Sequence, residues 1–146
     1  MSFKRLFGMS AVALIAFVAS VAGQSQDRDR PTRLTSREIS GTFDQRDRRD
    51  LFFSFRAGPG ELVLTVDVQA TTQKVELPAT VRLELYGPLD HRLADVSSQS
   101  KANGASKPKV ERLKLSGQIP LVMRLTLAGA PGRYSVKVDG DVALPP

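Results

Sequence analysis

The side chains best suited to hold a hard cation are Asp44, Asp47 and Asp50, three carboxylates spaced three apart. Calcium takes six to eight oxygen ligands, and a loop can wrap carboxylates and carbonyls around one ion. Against that reading, Arg46, Arg48 and Arg49 are interleaved with the acids, and no glycine between 44 and 50 supplies the sharp turn of a compact calcium loop. A solvated, self-paired hairpin loop accounts for the same residues. Calcium is the one ligand ion considered, and no cofactor is expected.

The one histidine, His91, follows Pro88-Leu89-Asp90 in a turn. A hydrolytic triad needs a nucleophile, a histidine and an orienting carboxylate that converge in space. Asp90 is only a sequence neighbour, and neighbours on an extended chain point apart. No Gly-x-Ser-x-Gly elbow and no Gly-x-x-x-x-Gly-Lys-Ser/Thr phosphate loop occurs. With zero cysteines there is no thiol nucleophile, thiolate zinc site, disulfide framework or lipid-bearing cysteine. Glu61, Asp67 and Glu84 fall on outward strand positions, where acids are ordinary. No catalytic residue is assigned.

A third group points to binding. Phe52, Tyr86 and Val122 occupy positions where strand alternation predicts solvent, as does Val63. Phe52 has Arg56 on its strand, Tyr86 has Arg82, and Val122 has Arg124. If those strands share a sheet, the six residues make an aromatic-plus-arginine face of the kind used for protein or ligand contact. The alternative is that these are scattered surface residues, or residues covered by loops.

The elements that must position these residues read as strands, because apolar side chains recur at every second position. Ile39, Gly41 and Phe43 form one such series. Leu51, Phe53 and Phe55 form the next, followed by Leu62, Leu64, Val66 and Val68, and by Val81, Leu83 and Leu85. Leu93 and Val96 mark a weaker strand. Val110, Leu113 and Leu115 follow, then Ile119 to Leu127, then Tyr134, Val136 and Val138. Turn residues separate them: Gly58-Pro59-Gly60, Gly87-Pro88-Leu89-Asp90, a small-residue loop over Ser97–Lys107, Ser116-Gly117, and Gly129-Ala130-Pro131-Gly132, the last two as hairpin turns. About eight short strands, each with one apolar face, predict an all-β, antiparallel two-sheet β-sandwich, jelly-roll-like in character. One apolar face per strand argues against a doubly covered parallel sheet. A closed barrel also satisfies the alternation.

Ahead of the strands, Lys4 and Arg5 precede an apolar run to Val21, and Ser20-Val21-Ala22 offers small residues for a peptidase. This is the three-part pattern of a signal peptide, here a signal helix over residues 1–22. Cleavage after Gly23 is the close alternative, and retention as an anchor a further one, although a spanning helix wants about 20 apolar residues. Residues 23–37, with alternating Asp27, Arg28, Asp29 and Arg30, read as a flexible charged leader. The sandwich then occupies residues 38–146. Removing Lys4 and Arg5 lowers the formal net charge of +6 by two. That modest surplus suits solubility, and no basic stripe interleaved with aromatics points to nucleic acid.

The order of features resembles the bacterial pre-peptidase C-terminal domain. Ile39-Ser40-Gly41-Thr42-Phe43 is similar to its opening strand, and Asp50-Leu51-Phe52-Phe53-Ser54-Phe55 to its acidic residue followed by an aromatic-rich strand. Ala57-Gly58-Pro59-Gly60-Glu61-Leu62 resembles its glycine turn. Val81 to Pro88 resembles its strand ending in an aromatic and a turn, and Ala130 to Val138 its closing Gly-x-Tyr strand. Together these span roughly residues 37 to 140. The resemblance implies a secreted β-sandwich with a non-catalytic accessory or binding role, and calcium binding in some relatives. Two departures stand out: no catalytic domain accompanies the sandwich, and Arg82 and Glu84 take outward positions where the family often carries acids.

The expectation is an exported, periplasmic or secreted binding module. Its partner is a protein or polysaccharide of the cell envelope, with no stable membrane insertion after signal cleavage. The alternative is a structural envelope protein without a soluble ligand.

Overall fold

A computed structural model describes residues 24–44, 48–72, 77–101 and 107–145. The expected signal helix lies outside these residues. Among the described residues no helix is long and apolar enough to cross a membrane.

The chain is all-β. Its strands are β1 (Thr32–Arg33), β2 (Glu38–Phe43), β3 (Arg49–Ala70), β4 (Ala79–Tyr86), β5 (Arg92–Ser100), β6 (Lys109–Leu115), β7 (Ile119–Gly129) and β8 (Gly132–Ala143). The hydrogen-bonded order is β2-β8-β3-β7-β4-β5, with β1 and β6 also paired to β3. Among the described residues only the β1–β3 pair is parallel.

One strand makes this ladder into two layers. The first part of β3, Arg49 to Ala57, pairs with β7. Its second part, Leu62 to Ala70, pairs with β8, and Gly60 to Val66 pair with β6 on the other side. The register shifts between Ala57 and Leu62. Gly58-Pro59-Gly60 is therefore a corner that carries one strand from sheet to sheet, where the sequence predicted a turn between two strands. Gly58 at φ +94 and Gly60 at φ +126 supply a backbone conformation that L side chains rarely adopt. A Cβ at Gly58 would collide with the carbonyl oxygen of Gly117.

Sheet I is thus β1-β3-β7-β4-β5, and sheet II is β6-β3-β8-β2. β3 also touches β4 and β5, which are not its ladder neighbours, because the sheets face each other. Leu51, Phe53 and Phe55 from sheet I and Leu64, Val66 and Val136 from sheet II belong to one buried cluster. Every second residue feeds this layer, as the alternation predicted.

Two further turns differ from expectation. Ser116-Gly117 joins β6 in sheet II to β7 in sheet I, and Gly129 to Gly132 returns the chain to sheet II. Both are arches between sheets, not hairpins. Ser97 to Ser100, predicted as loop, continue β5. Serine enters the strand interior there because its hydroxyl finds partners: Ser98 Oγ donates to Lys107 O, and Ser100 Oγ accepts from Ala70 N.

The segment read as a flexible leader is laid along sheet I from residue 24 onward. Phe52 N donates to Ser25 O at 2.9 Å, Leu34 N donates to Ser54 O at 2.9 Å, and Thr32–Arg33 form β1 against Phe53 and Ser54. Its polar residues bond locally: Ser25 Oγ accepts from Asp27 N, and Asp27 Oδ1 from Asp29 N. Leu34, its one sizeable apolar residue, is buried in the core cluster. Composition missed this because one buried side chain and a short run of backbone bonds hold the segment down.

Candidate functional site

Strands β3, β7, β4 and β5 are consecutive in sheet I, so their outward residues meet in rows. Phe52 lies opposite Arg124, Arg124 opposite Glu84, and Glu84 opposite Asp95. In the next row Ser54 faces Val122, and Val122 faces Tyr86, which pairs with Arg92. On the other side Asp50 faces Thr126, and Thr126 faces Arg82. Arg56 sits at the far end, opposite Pro120. The six residues singled out by sequence therefore share one outer face.

That face is an ion-pair lattice. Glu84 is at its centre, with its side chain only 7% exposed. Arg82 Nη2, Arg92 Nη1 and Arg124 Nη1 lie 3.4, 3.6 and 3.5 Å from its carboxylate oxygens. Arg82 also grips Asp95 with two hydrogen bonds, Nε to Oδ1 at 2.9 Å and Nη2 to Oδ2 at 2.6 Å. Arg124 Nη2 donates to Asp50 Oδ2 at 2.9 Å, while Thr126 Oγ1 donates to Asp50 Oδ1 at 2.8 Å. Paired, planar contacts of this type fix geometry as well as charge.

The titration of the lattice follows from these contacts. The hydrogen bond from Arg82 holds the Asp95 carboxyl below its ordinary value; burial opposes it, and the charges of Arg82 and Arg92 add to the lowering. For Asp50, burial is the largest single influence and pushes upward. The hydrogen bonds from Arg124 and Thr126 and the charges of Arg124 and Arg48 together outweigh it, so Asp50 is also lowered. Arg82 and Arg124 are raised, chiefly by their hydrogen bonds to Asp95 and Asp50.

The aromatic part is partly covered. Phe52, predicted to face solvent, is only 8% exposed. The Arg124 guanidinium lies 6.0 Å from its ring centroid, and the N-terminal segment meets its backbone at Ser25. Arg28 stands 4.8 Å over the Tyr86 ring while its Nη2 bonds Asp90 Oδ1 at 2.7 Å. The open area is the quadrant of Arg82, Arg92 and Asp95, bordered by Tyr86 under Arg28. Arg82 and Arg92 keep 46% and 53% of their side chains exposed.

Two of the three proposed cation ligands lie among the described residues. Asp50 is committed to Arg124 and Thr126, Asp44 follows β2 in the other sheet, and Asp47 lies outside the described residues. Among the described residues no group of three or more His, Asp or Glu side chains is placed to hold a metal ion. His91 is exposed on the turn after Leu89 and Asp90, both at positive φ.

Sequence reasoning missed Glu84, Asp50, Asp95, Arg92, Thr126 and Arg28 as members of this face. Alternation alone marks Glu84 as outward and ordinary. Its signal is the alternation Arg82-Leu83-Glu84-Leu85-Tyr86, but its arginine neighbours come from three different strands, and only strand order reveals them.

No family model matches the sequence, and no curated protein matches it. Solved structures similar to it include the pre-peptidase C-terminal domain of collagenase from Bacillus anthracis, at 14% identity and TM-score 0.42, covering 74% of this chain and 93% of that one. A Yersinia pseudotuberculosis-derived mitogen is similar at 12% identity and TM-score 0.41, covering 75% and 94%. A CBM4 structure is similar at 11% identity and TM-score 0.36, covering 80% and 88%. The pre-peptidase C-terminal domain that the sequence resembles is thus among them.

Proposed function

We propose that this chain is an exported, non-catalytic binding module whose working surface is the outer face of sheet I. Its partner is a protein or glycan of the cell envelope. The observation that carries this reading is the open quadrant, bordered by Tyr86, in which Glu84 and Asp95 fix the orientation of two half-exposed guanidinium groups. A face held in place before a ligand arrives loses little side-chain freedom on binding. Guanidinium edges offer hydrogen-bond donors in a plane. They suit a flat, polar partner surface or the hydroxyl groups of a sugar.

The test is co-sedimentation of the secreted chain with isolated cell envelopes, followed by protease or glycan-hydrolase treatment of those envelopes. Saturable retention that one of the two treatments abolishes supports the reading and names the partner's class. Retention that never saturates, or none at all, contradicts it. One observation favours a structural envelope protein instead: every arginine of the lattice already has a carboxylate partner. That reading expects bulk, non-saturating retention.

A further inference from the structure

We propose that β5 is a docking edge for a second copy of this chain, the two β5 strands pairing antiparallel about Val96. The strand edges of the sandwich are protected unequally. The β3 edge of sheet I is covered by Ser25 and β1. β6, at an edge of sheet II, carries Lys109, Glu111, Arg112 and Lys114 within seven residues, the charge pattern that keeps strand edges apart. At the other edge of that sheet, β2 is only six residues long.

β5 meets the chain entering β6 at its C-terminal end, where Ser98 Oγ donates to Lys107 O, but over Ala94–Ser97 it has none of these devices. It is nine residues long, holds neither Lys nor Pro, and its two charged residues, Arg92 and Asp95, are already paired within the lattice. Among the described residues its only ladder partner is β4. A long, weakly charged edge is a template for another strand.

The strand also fits itself. Directly opposed residues of an antiparallel pair share a face, so the two copies must meet with inner residues against inner residues. Ala94, Val96 and Ser98 pair with the inward Leu85, Leu83 and Val81 of β4, whereas Asp95 and Ser97 pair with the outward Glu84 and Arg82. Centred on Val96, the register sets Val96 against its own copy, Ala94 against Ser98, and Asp95 against Ser97. No like charges oppose each other. Centred on Asp95, it would set two carboxylates face to face, which is destabilising. The register break at Leu93, between the Leu85 and Tyr86 pairings, ends the usable stretch.

The product is one continuous sheet with two outer faces side by side. An edge contact of this length is small, so the dimer is weak and concentration-dependent. Two linked faces would still strengthen attachment to a repetitive envelope partner.

Sedimentation velocity of the secreted chain over a concentration series is the test, with two variants. Ser97→Glu places Glu opposite Asp95 twice in the dimer, while Arg82 beside it in the monomer compensates the new charge. Dimerisation is expected to weaken about tenfold with an unchanged unfolding midpoint. In a chain with no cysteine, Val96→Cys is expected to form a covalent dimer on mild oxidation, and Lys114→Cys on β6 is not. A wild type that stays monomeric, a dimer indifferent to Ser97→Glu, or a Val96→Cys chain that remains uncrosslinked overturns the proposal.

Discussion

Arg124 Nη2 lies 2.9 Å from Asp50 Oδ2, although the two residues are 74 positions apart in the chain. The contact exists because β3 and β7 are ladder neighbours, with Asp50 opposite Thr126 and Phe52 opposite Arg124. Arg124 then reaches Glu84 on its other side. It thereby ties β3 to β4 across β7, and the lattice is a property of strand order.

Glu84→Ala tests what holds that lattice. Removing the central carboxylate leaves Arg82, Arg92 and Arg124 with one fewer counter-charge each. Because their guanidinium groups reach solvent, the loss falls below that of a fully enclosed pair, at about 2 kcal/mol. Urea unfolding of the variant reads it directly. A change within error would mean that the lattice contributes nothing to the fold.

The pH dependence has a definite sign. Asp50 and Asp95 sit below the ordinary aspartate value of 3.8 in the folded chain. As pH falls through that value the unfolded chain takes up protons first, so the unfolded state gains. Stability is therefore full above it and is lost as pH drops through the lowered folded values. The urea midpoint should stay flat down to about pH 5 and then fall, and Asp50→Asn should shrink the fall. A midpoint that rises on acidification contradicts the assignment.

Leu34→Ala distinguishes a packed N-terminal segment from a spacer. Leu34 is buried in the core cluster, and such truncations cost about 2–5 kcal/mol. Because the site lies at the edge of the fold, the lower end is expected in chemical denaturation. A solvated spacer would tolerate the change without effect.

Much of the architecture was legible in the sequence because period-two alternation is a direct imprint of one buried face. Leu64, Leu83, Leu125 and Val136 all point inward as predicted. The corner at Gly58–Gly60 was misread because the same residues that reverse a chain also let it bend, and only pairing partners tell the two apart. For the site, alternation placed Phe52, Tyr86, Val122 and the three arginines on outward faces. It could not show that Phe52 is covered, or that Glu84 is enclosed by arginines from three strands. Those facts depend on contacts between residues distant in sequence. The packing of the N-terminal segment is hidden from composition for a related reason: Leu34 and Ser25 find their partners on β3.

The most direct measurement is a binding isotherm on isolated cell envelopes for the wild type, for Tyr86→Ala with Arg92→Ala, and for Arg112→Ala on the opposite sheet. Arg92 belongs to the open quadrant and Tyr86 borders it, whereas Arg112 pairs with Glu61 away from it. The account predicts at least about tenfold weaker retention for the double variant and wild-type retention for Arg112→Ala. Equal retention of all three chains would contradict it.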